Sequence, residues 1–369
     1  MMYKYVIFLY IFSIYFGHLD TGITPFFISK TGTILLIFAA VTSNFYSFFN
    51  FSRVSKLLLF LLLLMSIRNY YFPNSERSLI NLEFLLIILS LESFIVLIYS
   101  SKINFQNITN YTIFFSTLAA LFIVLGLGDS SWEGRHTIDG QNQNLLAVNI
   151  SIGVIFNSIK LIKSKNKLLY IISFIVMLTA LTMTGSRSGF IIFIIGVFGI
   201  LYRYNLFIQL EKKIFFNIVI ILFTLLIGFF IIEGDNVLVS RFVNNSSTDL
   251  SGRDEYWKIM PLWVEDNWLF GIGESGLYSK SISTFGASRS PHNLYIKTYV
   301  QTGIVGLLVV ILILKELFKL KKITKNNILS LSSLLVFLCL SLVAHPLLTK
   351  SMWLLFLPSL VFTKKNNEL

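Results

Sequence analysis

Long apolar runs recur along most of this chain and constrain its fold more than any other feature. Each run is about 17 to 22 residues long, the length that a helix needs to cross the hydrocarbon core of a bilayer. Only short polar connections separate most of the runs, and one large soluble core would not produce that repetition. The sequence therefore predicts an all-α, polytopic integral membrane protein.

Twelve spans are predicted in one transmembrane domain, residues 1–369, with nine spans before a long polar loop at 233–292 and three after it. They fall at roughly 3–17, 31–49, 55–71, 79–100, 111–128, 144–161, 167–184, 188–203, 214–232, 293–314, 328–345 and 351–363.

Lysine and arginine predict the orientation of these spans. With the N-terminus inside, 18 of the 30 basic residues fall at cytoplasmic positions, in agreement with the excess of positive charge expected in short cytoplasmic loops. Both termini are therefore predicted to be cytoplasmic, with the long loop and the chemistry on the outer face. Because the lysines lie in short loops, the net charge of +12 does not indicate a nucleic-acid partner. The lone cysteine, Cys339, excludes a disulfide framework and a cysteine-based metal site.

Arginine has the opposite distribution and is concentrated on the predicted outer side. Its planar fork suits phosphate or carboxylate recognition, which topology alone does not require. Seven of the nine arginines are outside or at the outer membrane edge, at positions 68, 77, 135, 187, 241, 253 and 289.

Two short motifs combine arginine with a predicted helix start. In TGSRSG, Arg187 follows a tight turn, an arrangement suited to a diphosphate, although an interfacial arginine that extends toward the lipid headgroups is the alternative. In SGRDEYW, Ser251 and Asp254 predict a capped helix with Arg253 in its first turn.

Aromatic residues follow Arg253 at helical spacing, and Pro261 should kink that helix or lie in its exposed turn. They predict either a membrane anchor, which is favoured, or a sugar-binding platform.

The third motif is PHN, at the end of the long loop, where His292 directly precedes an apolar helix. Its neighbours Arg289 and Asn293, together with Arg241 at the start of the loop, are candidates for substrate binding, and His292 for catalysis. A lone histidine with only a structural function is the alternative. In the fifth connection Arg135 could form one wall of a sugar site or belong to a solvated loop.

Two glutamates lie in the fourth predicted span. Glu83 is predicted to pair with Arg68 at the outer end of the third span, or else to be functional, since ionisable groups in spans are costly. Glu92 lies about 180° away on the same helix and is left without an assigned role.

These motifs, in this order around a long outer loop, resemble the O-antigen ligase and O-antigen polymerase superfamily of bacterial membrane glycosyltransferases. The resemblance rests on TGSRSG, SGRDEYW, the stretch from Pro261 to Gly273, and PHNLYIKTYVQTGIVG, and covers about residues 180 to 310.

The resemblance implies a multi-pass protein of the bacterial inner membrane that transfers a glycan from a polyprenyl-diphosphate lipid on the outer face. It implies that Arg187 and Arg253 bind the diphosphate and that His292 is the catalytic base. The residues fit these functions, since a neutral imidazole can accept the proton of an attacking sugar hydroxyl and arginines can stabilise the departing diphosphate. Inversion at the anomeric carbon is expected, with no metal, nucleotide or other cofactor.

The acceptor and the partners stay open at this point. An undecaprenyl-diphosphate-linked repeat unit as acceptor would make the protein a polymerase, which is favoured, whereas the lipid A core would make it a ligase. A chain-length regulator is a possible partner. A polysaccharide transporter or flippase is the rival class, but the two halves of the chain show no repeat. A purely structural membrane partner would leave the outer arginines and His292 unexplained.

Overall fold

The computed structural model describes residues 2–16, 25–71, 78–131, 135–138, 142–203, 253–323, 329–344 and 346–367. This part of the chain is a bundle of helices with one short β-hairpin and two 3₁₀ helices, Met260–Asn267 and Pro346–Leu348. The elements are α1 (Met2–Phe16), α2 (Pro25–Ser43), α3 (Phe45–Phe49), α4 (Arg53–Tyr71), α5 (Ser78–Tyr99), α6 (Phe105–Val124), β1 (Asp129–Ser131), β2 (Arg135–Thr137), α7 (Gln143–Lys163), α8 (Leu168–Met183), α9 (Arg187–Arg203), α10 (Arg253–Ile259), α11 (Gly273–Phe285), α12 (Leu294–Ile323), α13 (Leu329–Val343) and α14 (Lys350–Asn367).

Eleven of the twelve predicted spans coincide with a described helix, while the span at 214–232 lies outside the described residues. The all-α prediction is confirmed. Within the described part, four helices are long and apolar enough to cross a membrane: Asn81–Tyr99, Phe105–Val124, Gln143–Lys163 and Leu294–Lys319. Six shorter apolar helices accompany them. The count of twelve crossings, the outer position of the loop and the cytoplasmic termini stay predictions.

Arg187 and His292 lie at the same end of the bundle. Arg187 begins α9, and the far half of α9 packs on the beginning of α13, where the Ser332 hydroxyl donates to the Gly196 carbonyl at 2.8 Å. His292 precedes α12, and residues 324–328 join the far end of α12 to the same beginning of α13. A connection of five residues reaches at most about 18 Å, which is less than the roughly 45 Å length of a 30-residue helix. The far ends of α9 and α12 therefore both lie near the beginning of α13, and the residues at their beginnings lie at the opposite end. We call this common end of α9 and α12 the site end.

The predicted pair between Glu83 and Arg68 is wrong. Glu83 Oε1 lies 2.7 Å from Lys30 Nζ, because α2 packs beside α5. Arg68, near the end of α4, instead donates to Asn267 Oδ1 at 3.0 Å and to the carbonyl of Gly271. The arginine therefore fastens the long loop to the first half of the chain.

Glu92 is fully buried and has a structural function that the sequence left unassigned. Its Oε2 accepts hydrogen bonds from the Ser55 hydroxyl at 2.9 Å and from the Ser52 amide at 3.1 Å. Both donors belong to the beginning of α4, where the positive end of the helix dipole favours a carboxylate.

Helix α12 is interrupted at Gly303, and the loop fills the interruption. Gly303 has φ 63° and ψ −158°, a conformation open only to glycine. The Val300 carbonyl, released from helical bonding, accepts from the Ile272 amide at 2.8 Å. In return, the Ile304 amide donates to the Trp268 carbonyl at 2.9 Å. Backbone groups freed by the break are thus satisfied by the protein itself, as an apolar surrounding requires.

The aromatic residues that follow Arg253 were predicted to form a membrane anchor or a sugar-binding platform. Both predictions are wrong for the central residues of this segment, which are buried inside the protein. Tyr256, Met260 and Val264 pack in a separate hydrophobic cluster with Val300 of α12 and Leu277 of α11. The apolar face of this segment therefore covers protein, and neither a membrane nor a sugar. Trp268, by contrast, is exposed over 56% of its surface.

Pro261 is the second residue of the 3₁₀ helix that begins at Met260, where the α geometry of α10 ends. Gly271 and Gly273 both have positive φ, and α11 begins at Gly273.

Candidate active site

Residues 253–293 form a compact layer at the site end, which we call the loop unit. It contacts α4 and α12. Asn69 at the end of α4 caps α11 from outside, because its Oδ1 accepts the amides of Glu274 at 2.8 Å and Ser275 at 3.3 Å. This contact and those of Arg68 hold the loop unit in one position on the bundle.

The last stretch of the loop unit turns back along α11 before it reaches His292. The Ser281 hydroxyl accepts the Arg289 amide at 2.7 Å and donates to the Ala287 carbonyl at 2.9 Å. Gly286 ends α11 in the left-handed conformation that helix ends favour. A single serine therefore fixes the path of the chain toward the predicted catalytic residue.

Arg289 lies against the aromatic residues of α10 and α11. Its guanidinium carbon is 5.0 Å from the centre of the Tyr256 ring and 5.7 Å from that of Phe285. The residue is exposed. A guanidinium near a ring face is attracted to it electrostatically, and this contact restrains the Arg289 side chain.

His292 is an exposed residue held between two buried ones, Pro291 and Asn293. The indole Nε1 of Trp257 donates to the Pro291 carbonyl at 2.7 Å. On the other side, Asn293 caps α12, with its Oδ1 accepting the amides of Tyr295 at 3.0 Å and Ile296 at 3.1 Å. These anchors place the imidazole at the surface of the site end.

The backbone of His292 is in the left-handed region, with φ 48°. Non-glycine residues adopt this conformation uncommonly, although asparagine, aspartate and histidine do so more often than others. Such local strain persists where the surroundings impose it, and it is concentrated at functional positions. Here the cap by Asn293 and the bond to Pro291 hold the residues on either side of His292.

Arg253, Arg289 and His292 belong to segments in direct contact. Arg253 is the first residue of α10, as predicted, and the following turn carries Tyr256 and Trp257, which contact Arg289 and Pro291. Ser251, predicted to cap this helix, lies outside the described residues. The structure therefore brings two of the predicted arginine positions to the histidine segment.

Arg187 begins α9 after the predicted tight turn. Gly185 has positive φ, and the Ser186 hydroxyl accepts the Gly189 amide at 3.3 Å, which caps the helix. Arg187 is partly exposed. It lies at the site end on a helix that packs against α7 and α13, whereas the loop unit rests on α4 and α12.

The other predicted residues are placed as follows. Arg135 is in the hairpin, where β2 pairs antiparallel with β1 and Arg135 stands opposite Ser131. Arg241 lies outside the described residues. Asn293 has the capping function given above, which the sequence reasoning missed although Asn before an apolar run is a capping signal. Its binding function stays a prediction.

A buried ion pair in the loop unit was also missed. Lys297 Nζ on α12 lies 3.4 Å from Glu274 Oε2 on α11, and their side chains are 11% and 7% exposed. The pair links the first turn of α11 to the turn of α12 after His292. The two residues are 23 positions apart in the sequence, and no local pattern reveals such a contact.

Replacing Trp257 by phenylalanine is expected to slow catalysis by roughly tenfold and to lower the free energy of unfolding by about 1 kcal/mol. Phenylalanine keeps an aromatic ring but cannot donate to the Pro291 carbonyl, so the His292 segment loses an anchor. The matched control is Trp263→Phe, since Trp263 lies six residues further along the same segment and packs against Phe285. An equal loss of rate in both variants, measured in a reconstituted assay, would show that the Pro291 bond is not responsible.

Metal-binding groups are not gathered in the described part of the chain: no three His, Cys, Asp or Glu side chains there lie close enough to hold an ion. The expectation of a metal-independent reaction stays a prediction.

Residues 172–311 match the protein-family model described as O-antigen ligase. The match runs from α8 into α12, and it includes Arg187, Arg253 and His292. The resemblance predicted from the motifs between about residues 180 and 310 is thereby confirmed over this stretch. No curated protein matches the chain. The family match suggests a membrane glycosyltransferase of the ligase or polymerase type and does not distinguish the two.

Proposed function

We propose, on the premise of this match, that the protein is a membrane glycosyltransferase that polymerises polyprenyl-diphosphate-linked oligosaccharide repeat units. The product would be O-antigen, capsule or exopolysaccharide. The observation that carries the proposal is the setting of His292, an exposed imidazole fixed by Trp257 and Asn293 beside the segments of Arg253 and Arg289. A base held beside segments that carry arginines suits transfer from an anionic leaving group.

In the proposed reaction, an acceptor sugar hydroxyl attacks the anomeric carbon of the donor glycan. A new glycosidic C–O bond forms as the bond between that carbon and the diphosphate oxygen breaks. The hydroxyl proton passes to the His292 imidazole, and the electron pair leaves with the polyprenyl diphosphate. Attack opposite the leaving group inverts the anomeric configuration.

The arginines would stabilise the leaving group. Arg187 and Arg253 are proposed to bind the diphosphate, with Arg289, Arg241 and Arg135 contributing to donor or acceptor binding. Because a fixed guanidinium supplies the charge that a divalent metal supplies elsewhere, the reaction is proposed to require neither metal nor cofactor.

Asn293 can take part in substrate binding only through its amide N–H₂ group, since its Oδ1 caps α12. Arg289 is well suited to bind phosphate oxygens, because its guanidinium presents planar N–H donors and is already restrained by the Tyr256 ring.

The proposed location is the bacterial inner membrane, with both termini cytoplasmic and the site end facing the periplasm. The arginines of the loop unit and the lysines of the short loops support this orientation. The donor and the acceptor would both be lipid-linked and reach the site from the outer leaflet. A chain-length regulator is a proposed partner.

Transfer to the lipid A core is the second candidate function, favoured by the description of the matched family as O-antigen ligase. The two functions share the donor, the base and the leaving group. They differ in the acceptor alone.

The test uses the full chain, purified in detergent, with a synthetic undecaprenyl-diphosphate repeat unit as the only substrate. A ladder of longer lipid-linked glycans, seen by gel and mass spectrometry, is expected. Products that form only after addition of lipid A core would establish the ligase function instead. No transfer with either acceptor, from protein shown to be folded, would contradict the glycosyltransferase proposal and favour a transporter.

A further inference from the structure

A cavity of about 370 Å³ opens at the end of the bundle opposite the site end. Its walls come from the first turns of α6, α8 and α13, the last turn of α7 and Pro358 of α14. Helix α8 begins at this cavity and ends just before the Arg187 turn, about 24 Å away for 16 residues. The cavity is therefore separate from the proposed transfer site.

Two lysines of α7 give the cavity its charge. Lys160 and Lys163 both line it, and they are close enough to repel each other. Like charges three residues apart destabilise a helix, and no acidic residue is among the described residues that line the cavity. Gln106 adds the N–H donors of its side-chain amide, whereas the hydroxyls of Thr109 and Ser164 already donate to backbone carbonyls. Such a lining suits a phosphate group.

The remaining walls are apolar. Phe105 and Leu329 contribute to the lining. The outer face of α8, which points away from the cavity-lining Tyr170, exposes Leu169, Ile172 and Ile175 over 70%, 52% and 57% of their surfaces. Residues this apolar on the outside of a membrane helix contact acyl chains. The cavity thus lies between helices whose outer surfaces suit lipid.

We propose that this cavity binds the phosphate headgroup of an anionic phospholipid. Basic pockets between membrane helices bind such headgroups on the cytoplasmic side, and the predicted orientation places the cavity there. A soluble phosphate compound would use the lysines but not the apolar surface of α8. Binding at this position ties α6, α7 and α8 together at the end remote from catalysis, and it does not depend on the proposed transferase function.

The test compares binding of phosphatidylglycerol and of phosphatidylcholine with the same acyl chains to the full chain in detergent, by native mass spectrometry. The double variant Lys160→Met, Lys163→Met removes both charges and keeps the length of the side chains. Its matched control is Lys165→Met, Lys167→Met, which removes two exposed lysines from the same connection that do not line the cavity.

Wild type and control are expected to prefer phosphatidylglycerol, and the cavity variant to bind it roughly thirtyfold more weakly, about fivefold for each lysine lost. Equal weakening in the control, or no preference in the wild type, would overturn the proposal. Displacement of the lipid by millimolar inorganic phosphate would assign the site to free phosphate instead.

A second measurement needs no variant. A photoreactive phosphatidylglycerol should label wild-type protein at the residues lining the cavity, Gln106 or Tyr170 among them, and labelling spread evenly over the membrane surface would also overturn the assignment.

Discussion

The variant His292→Asn is expected to transfer glycan about 10²- to 10⁴-fold more slowly than the wild type, the range for loss of a general base. Asparagine cannot accept the hydroxyl proton, but it tolerates the left-handed backbone that His292 adopts at φ 48°. The amide of the side chain also remains small enough for an exposed position. The rate is measured as ladder formation in the reconstituted assay, with saturating donor.

His292→Ala provides the matched comparison, because alanine is more strained than asparagine at positive φ. We expect both variants to lose activity to the same extent, with only the alanine variant showing lower thermal stability. A result in which His292→Asn keeps more than a tenth of the wild-type rate would mean that the imidazole is not the base. His292 would then have a structural function at the start of α12.

The second large effect is expected at the interruption of α12. Gly303→Ala should lower the free energy of unfolding by about 3 kcal/mol or more, combining backbone strain with overpacking. An added Cβ would lie 2.4 Å from both the carbonyl carbon and the oxygen of Leu269, and neither backbone atom can move without breaking the pairing between α12 and the loop unit. Thermal unfolding in detergent measures the effect.

The variant Gly286→Ala separates the two causes of destabilisation, backbone strain and overpacking. Gly286 also has positive φ, at 67°, but an added Cβ there would meet no heavy atom within 4 Å. This variant should therefore lose only about 1 kcal/mol, the cost of the backbone conformation. Equal destabilisation by the two substitutions would show that the loop unit does not pack into the break of α12 in the way described.

Helix positions were predictable from the sequence because the length of an apolar run is set by the membrane and not by distant contacts. Spans such as 144–161 and 188–203 agree closely with α7 and α9 for this reason. The motifs at Arg187, Arg253 and His292 were equally predictable, since each combines a chemically distinctive residue with a local helix start.

Partners across the fold were not predictable. The charges of Arg68, Lys30 and Glu83 allow several pairings, and only the packing of α2 beside α5 selects Lys30 for Glu83. Periodicity correctly placed Tyr256 on an apolar face but could not tell that α12 covers that face. A pattern of aromatic residues indicates that a surface is apolar. Whether lipid, ligand or protein contacts that surface depends on the neighbouring elements of the fold.

The interruption of α12 fixes the number of residues between Trp268 and Ile272. Each of the bonds from Ile272 to Val300 and from Ile304 to Trp268 joins a specified carbonyl to a specified amide. One residue inserted or deleted between Trp268 and Ile272 would carry one of these groups about 3 Å out of register. Changes in the size of the loop must therefore be accommodated outside these five positions, because the two bonds set the distance along the chain between them.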